Sequence, residues 1–540
     1  MTVADLIVLA DRVYTMAAAA PEVTAIAMAG GVITAIGDRA DARGWRGPGT
    51  QVIDLGPATV TPGLVDGHFH PVTGIALTRG ADLSGARTTD DLIAALRAAA
   101  SSVPRGGWVQ GWGLDPNVFA GAPITHRPLA EALGPDVPAF LLFFDVHSAL
   151  VSERALELAG VGGPRAFASG ASIACDPAGR PTGHLLEWDA IDLVRRLLPA
   201  DEPAARRQRL LDLMRRMAAA GLTAANAMDF GDDSADLFPA LEADGELPVR
   251  WRCAPFVLPG DGPNQLDAVI RQQRRTGRRW RVDGAKFMID GTIDGGTAWL
   301  EEPDTHGEST ACLWPDPAEY AAAVRVLAAH GVPIVTHAIG DAGIRYVLDT
   351  VAALPRRPPV PYRVEHVETL PSALIGRFAA LDVTVSMQPT HCAHYTRADR
   401  SDNWSQRLGK KRADRAFRAR DLREHGARVA LGSDWPVAGF DPRAVIAAAR
   451  LRRPAGEPGV EPVLPGQALT ARMALEGYTT EAATAAGLGD RTGQLRPGFR
   501  ADLTAFALDP LAADPDEFAE SPVELTVVDG TVSHRGRTAA

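Results

Sequence analysis

Helical and strand patterns alternate from about residue 58 to residue 485, and few tight hairpins interrupt them. Residues 320–330 read as an amphipathic helix and 332–337 as a strand. Helix 342–353 precedes strand 362–367, helix 372–381 precedes strand 383–388, and helix 415–425 precedes strand 428–433. A chain that crosses back through a helix after each strand pairs its strands in parallel, so the sheet is parallel, either open or closed as a barrel. No glycine-rich dinucleotide fingerprint follows a first strand, which counts against the open, doubly wound form. The expected class is α/β, with a (β/α)8 TIM barrel over residues 58–485.

The two chain ends have a different rhythm. Short alternating β runs fill residues 3–57, at 4–10, 23–29, 32–36 and 51–54, and they reappear in 493–537, at 501–507, 525–529 and 531–534. Ala29-Gly-Gly-Val and Asp529-Gly530 are hairpin signals. Two β segments at opposite ends imply one small β-sandwich domain, residues 1–57 with 486–540. Residues 75–220 are too long for one βα unit and hold their own aromatics (Trp108, Trp112, Phe119, Phe140, Phe143, Phe144), which implies an inserted lobe after the first barrel strand.

Bulk properties exclude several functions. A net charge of −11 argues against a nucleic-acid partner. The densest basic stretch, 407–423, is interleaved with Ala413, Ala416 and Phe417 and reads as the solvated face of a helix. Cys175, Cys253, Cys312 and Cys392 lie far apart with no paired spacing, as expected of a reduced, cytoplasmic chain. The first ten residues lack a basic leader and carry Asp5, so they read as a strand rather than a signal peptide. No apolar run reaches the ~18–20 residues needed to span a bilayer, so no membrane partner is expected.

Chemistry concentrates at strand ends. Only three of the 55 basic residues are lysine: Lys286, Lys410 and Lys411. Lys286 lies in the apolar run Val282-Asp-Gly-Ala-Lys-Phe-Met-Ile-Asp290, and guanidinium cannot replace a lysine that must lose its proton. One such task is reaction with CO2 to give a carbamate that bridges two metal ions; the plain alternative is a half-buried cation paired with Asp283 or Asp290. His68 and His70 are two apart on a predicted strand, so they project the same way and can grip one ion. His337 follows Pro333-Ile-Val-Thr, His366 follows Tyr362-Arg-Val-Glu, and Asp434 follows Val429-Ala-Leu-Gly-Ser. Each histidine alone is as well explained as a structural one, but a buried carboxylate needs a partner. In a (β/α)8 barrel all six side chains fall on the face where active sites lie.

These segments resemble the amidohydrolase superfamily, in the branch that includes N-substituted formamide deformylases. The resemblance rests on Pro62-Gly-Leu-Val-Asp-Gly-His-Phe-His70, Ala285-Lys-Phe-Met-Ile-Asp-Gly291, His337-Ala-Ile-Gly-Asp341, Arg363-Val-Glu-His366 and Leu431-Gly-Ser-Asp434. Ser386-Met-Gln-Pro-Thr390 and Gly493-Gln-Leu-Arg-Pro-Gly-Phe-Arg-Ala-Asp502 fit as well. It implies a barrel with a companion β-sandwich and a carboxylated Lys286 bridging a metal pair. His68, His70 and Asp434 would hold one ion, and His337 and His366 the other. Some members keep one metal, so one or two ions are expected, with zinc favoured. Three departures stand out: Gly67 in place of alanine or serine, Trp435 after the acidic residue, where it would narrow the pocket, and Asp294-Gly-Gly296 where relatives often carry serine or arginine.

Further candidates for substrate contact are His147, in the inserted lobe, Gln388, at the end of strand seven, and His391, in the loop after it, beside Trp435. The expected activity is hydrolysis of a non-peptide C–N bond in a small-molecule amide or formamide, with metal-activated hydroxide as nucleophile and Asp434 as proton carrier. A deaminase or cyclic-amide hydrolase acting on a heterocycle would use the same site. A third reading, a regulatory metal-binding protein with a retired site, leaves the lysine at 286 unexplained. Assembly into a homo-oligomer stays open at this stage.

Overall fold

Two parallel sheets carry the middle of the chain in the computed structural model, which is described over residues 3–17, 22–167, 170–200, 202–231, 234–355 and 360–536. The first sheet holds β1 (Leu64–Phe69), β2 (Leu222–Phe230), β3 (Arg250–Pro255) and a short strand, Trp280–Val282. The second holds β4 (Ala285–Met288), β5 (Ile334–Ala338), β6 (Arg363–His366), β7 (Thr384–Met387) and β8 (Val429–Leu431), side by side in chain order. Every pairing in both is parallel. Both β2 and β3 are buried at every position, as expected of strands covered on both faces.

The helix before β5 shows why these connections begin where they do. The Asp316 side chain accepts from the Ala318 N–H and caps Pro317–Ala329, while Pro317 sits in the first turn, where no donor is needed. Tyr320, Val324 and Leu327 then recur at helical spacing and are buried. The Tyr320 hydroxyl ties the helix to β5 through Thr336 Oγ1 at 2.9 Å.

The two sheets meet at two seams. Single parallel bridges join Phe256 to Lys286 and Phe69 to Trp435. There the Val257 N–H donates to the Lys286 carbonyl (2.8 Å), and the Asp434 N–H donates to that of His68 (2.8 Å). The architecture is (β/α)8-like, with the ladder reduced to single bridges where Lys286, His68 and Asp434 lie.

One local expectation needs correction. Residues 407–423 are not one helix but parts of three, Asn403–Leu408, Lys410–Ala413 and Ala419–Glu424. Gly409 at φ 73° separates the first two, and Phe417 at φ 46° turns the chain before the third. Ala413, Ala416 and Phe417, whose spacing imitates a helix face, are buried in the main core instead.

The terminal segments form two sheets on a shared core. One has the order Val32–Gly37, Ala25–Ala29, Leu6–Leu9, Gln51–Asp54; the other runs Arg12–Val13, Thr59–Pro62, Leu503–Phe506, Val523–Val528, Thr531–Arg535. Val8, Ile26, Ile53, Val60, Leu503 and Val527 meet between them. Asp529 (φ 48°) and Gly530 (φ 74°) make the left-handed two-residue turn joining the last two strands. A six-stranded sheet spanning Ala81–Asp82 to Pro181–Leu186 builds the segment after β1, with its own apolar clusters. Among the described residues no helix is long and apolar enough to cross a membrane.

Arg250, at the start of β3, ties the terminal sheets to the parallel ones. Its Nη1 lies 2.6 Å from Asp502 and its Nη2 2.5 Å from Asp529, and Arg250 itself is buried. Arg250→Met leaves two carboxylates short of a cation and is expected to cost about 3 kcal/mol, read from the denaturant midpoint. The Asp529 carboxyl is half-buried, and this partial desolvation favours its neutral form, but Arg250, Arg500 and Arg279 outweigh it and hold the carboxyl below its usual range. Its contribution is therefore full above the unfolded carboxyl pKa of ~3.9 and lost as pH falls through the depressed folded value. The gap between wild type and Arg250→Met should close in acid.

Candidate metal centre

Strand ends bring the predicted ligands together. His68, inside β1, is wholly buried, and its Nε2 lies 3.2 Å from His70 Nε2, just past the strand. Asp434 follows β8, and its Oδ1 is 3.4 Å from His68 Nε2 and 3.3 Å from His70 Nε2. Lys286, the second residue of β4, is 1% exposed, with Nζ 3.4 Å from His68 Nε2. The His366 ring lies 4.8 Å from that of His68 and 4.4 Å from that of His337. His68, His70 and Asp434 form one group close enough to share an ion; His366, His391 and Asp434 form a second. His337 is in neither group: its Nε2 donates to the Gly291 carbonyl at 3.1 Å.

The donor set fits a divalent cation. Asp434 Oδ1 is buried with no hydrogen-bond partner among the described residues, a cost that a metal would remove. Burial holds His68, His337 and His366 well below the usual histidine pKa, so they are neutral, the form that ligates metals. Asp434 is also buried, which disfavours its charge, but its histidine neighbours, with a hydrogen bond from His70, outweigh this and hold its carboxyl below the usual range. The His/His/Asp cluster is thus a divalent-metal-binding site. Burial pulls the Lys286 amine down to about 8 against the attraction of Glu365 and Asp434.

A buried relay orients His68. Its Nδ1–H donates to Glu365 Oε2 at 2.6 Å, which fixes the proton on Nδ1 and leaves Nε2 to ligate. Glu365 is held in turn by Arg363, Nε to Oε1 at 3.0 Å and Nη2 to Oε2 at 3.0 Å, while the same Nη2 donates to the Gly67 carbonyl. Glu365→Gln keeps the shape but removes the charge, and is expected to weaken metal binding by about 10- to 100-fold in chelator competition. Unchanged affinity would mean that Glu365 only fills space.

A cavity of about 330 Å³ opens onto these groups. Phe144, Val146 and Trp188 of the inserted segment and Phe256, Leu258 and Met288 of the barrel give it apolar walls. His147 lines it as well, with its ring 5.2 Å from that of His337. Glu187, which sequence reasoning missed, accepts from His147 Nδ1 at 2.9 Å, and its backbone N–H donates to the His147 carbonyl at 2.7 Å. Burial disfavours a charged His147, but Glu187 and Asp145 reverse this and raise its pKa to about 9. Glu187 sits at φ 64°, ψ 160°, a conformation close to glycine-only that costs about 1–3 kcal/mol.

Two proposed substrate contacts lie elsewhere. Gln388 does not line the cavity; its Oε1 accepts from His366 Nδ1 at 2.9 Å, behind the ring. Trp435 does not line the cavity; its ring stacks on Phe69 at 5.3 Å. Rather than narrowing the pocket, it packs into the main core. His391 does line the cavity, with Nε2 3.8 Å from Asp434 Oδ2. Asp294 also lines it, half-buried and held by the Asn403 amide at 3.1 Å.

Comparison with known proteins places this geometry in context. A family model described as the amidohydrolase family matches residues 51–534. The chain is 27% identical to "Putative amidohydrolase YtcJ" of Bacillus subtilis (strain 168), over 96% of this chain and 97% of that protein. It is 25% identical to "N-substituted formamide deformylase" of Arthrobacter pascens, over 98% of each. The solved structure of an uncharacterized metal-dependent hydrolase from Pyrococcus horikoshii OT3 superposes with a TM-score of 0.71 at 23% identity, covering 94% of this chain and 99% of that one.

Proposed function

The chain belongs to the amidohydrolase family, and on that premise we propose that it is a divalent-metal-dependent hydrolase that cleaves the C–N bond of a small amide or formamide. The observation that carries this reading is the meeting of His68, His70, Asp434 and buried Lys286 at one end of the parallel strands, beneath a cavity of about 330 Å³. The reading treats the eight strands as one barrel joined at its two seams. His68, His70 and Asp434 would hold one ion, and His366 with His337 or His391 a second. Lys286, as a carbamate, would be shared between them. The histidine-rich set favours zinc. When bound, the ion lowers the pKa of water from about 15.7 to ~7 and polarises a carbonyl.

The chain's own residues do the rest. Asp434, ionised and at the cavity floor, takes the proton of the attacking water and returns it to the leaving nitrogen, without which the amine is a poor leaving group. His147, fixed by Glu187, lines the same cavity beside His337 and would meet the substrate there. The apolar walls exclude water and take the substituents of the amide.

A panel of amides and formamides, with both products identified by mass, tests the proposal. The expected result is an acid and an amine, with turnover lost on chelation and restored by zinc. Ammonia released from a heterocycle would make the protein a deaminase. Absence of turnover in metal-loaded protein over a broad panel would favour a retired regulatory site.

A further inference from the structure

A second cavity, of about 100 Å³, lies at the N-terminal ends of β1, β2 and β3, the opposite ends of these strands from the metal centre. Five arginines line it, Arg250, Arg252, Arg278, Arg281 and Arg500, and no carboxylate is among its lining residues. In a chain with a net charge of −11 this is a local concentration of arginine, with Asp283, Asp502 and Asp529 paired to it from outside the lining. The arginines come from separate places: β3, the turn and short strand before β4, and the segment leading into Leu503–Phe506.

Arg252 is the decisive residue. It is 4% exposed, and both Nη1 and Nη2 lack a hydrogen-bond partner among the described residues. Its ion-pair partner, Asp283, stands 3.4 Å from Nε and is shared with Arg281 Nη2 at 2.9 Å. Arg281 Nε is likewise buried without a partner, and so are the indole N–H groups of Trp251 and Trp280, which also line the cavity. The nearby Asp502 and Asp529 do not relieve this, because Arg250 and Arg500 already engage them. A buried guanidinium that lines a cavity and whose two terminal nitrogens lack an acceptor is costly, and an anion would supply what is missing.

We propose that this cavity binds a phosphate-type oxyanion, either free inorganic phosphate or the phosphoryl end of a small monoester. Guanidinium groups pair with phosphate through parallel N–H donors. Donors arriving from several directions suit a tetrahedral group with oxygens on all sides better than a planar carboxylate. None of the residues assigned to the metal centre lines this cavity, so the site stands whether or not the hydrolase reading holds.

The test is calorimetric titration of metal-loaded, full-length protein with inorganic phosphate, and in parallel with glycerol phosphate. Saturable binding of inorganic phosphate alone identifies the free ion, and binding of both identifies the phosphoryl group. Arg252→Met should weaken it by about 10- to 100-fold, the range for losing a charged hydrogen-bond donor. Asp283→Asn removes the carboxylate that competes for Arg252 and Arg281 and should tighten it several-fold. That rise is a readout that a merely structural role would not produce. Absence of binding by either anion overturns the proposal, as does binding unchanged in both variants, which would place the phosphate on the metal centre. If Arg252→Met does not fold, Asp283→Asn decides alone, and unchanged or weaker binding in it overturns the site.

Discussion

Lys286→Arg protein is expected to fold and to turn over substrate more than roughly 100-fold more slowly than wild type, beyond the loss that even outer-shell partners of a metal cause. The chain has 55 basic residues and uses lysine at only three positions. Two of these, Lys410 and Lys411, lie on a short surface helix, while Lys286 is 1% exposed. Its Nζ is 3.4 Å from His68 Nε2, and burial lowers its pKa to about 8. Part of the population is therefore neutral near pH 7.5 and can add to CO2. The new N–C bond forms as a C=O electron pair moves to oxygen, and the nitrogen releases its proton. Guanidinium keeps its proton and cannot follow this path. Metal content and incorporation of 13C-labelled bicarbonate should fall together with turnover. A variant with wild-type turnover and metal content would make Lys286 an ordinary buried cation.

The helix–strand rhythm is legible in the sequence because each helix has an apolar stripe and each strand a buried run. Helix Ser372–Leu381 lies where its periodicity predicts. Helix 415–425 starts late because Phe417 at φ 46° overrides a plausible apolar spacing, and a single left-handed residue leaves no periodic signal. At the metal centre, the side chains that meet are those whose positions end apolar runs, since strand ends share one face. The residues that orient them are not legible in this way. Glu365 acts on His68 from 297 residues away, and Glu187 on His147 from 40. The pattern Arg363-Val-Glu-His366 does carry one clue, a buried arginine and glutamate two apart on the strand that ends in a ligand. Trp435 shows the opposite failure: adjacency to Asp434 suggests a pocket wall, but the ring finds its partner in Phe69, within the main core. The arginine cavity was invisible because its five arginines are spread from residue 250 to residue 500.

Asp434→Asn should lose far more rate than substrate affinity. Asp434 lies between the two histidine groups: Oδ1 is within 3.4 Å of His68 and His70, and Oδ2 is 3.7 Å from His366 Nδ1 and 3.8 Å from His391 Nε2. Its backbone is pinned by the bond from its N–H to the His68 carbonyl at 2.8 Å, so asparagine would occupy the same place. Asparagine keeps one coordinating oxygen and the volume of the side chain but cannot accept a proton. Losing a general base costs ~10²–10⁴-fold, and the apolar walls that hold the rest of the substrate are unaltered. kcat should therefore fall by that factor while KM stays within a few-fold, provided chemistry limits turnover. Metal content is the control, because loss of the ion would imitate the effect. Metal-loaded Asp434→Asn retaining more than about half of wild-type kcat would make Asp434 a ligand only. The proton would then travel through His391, which stands 3.8 Å from the same carboxylate and lines the same cavity.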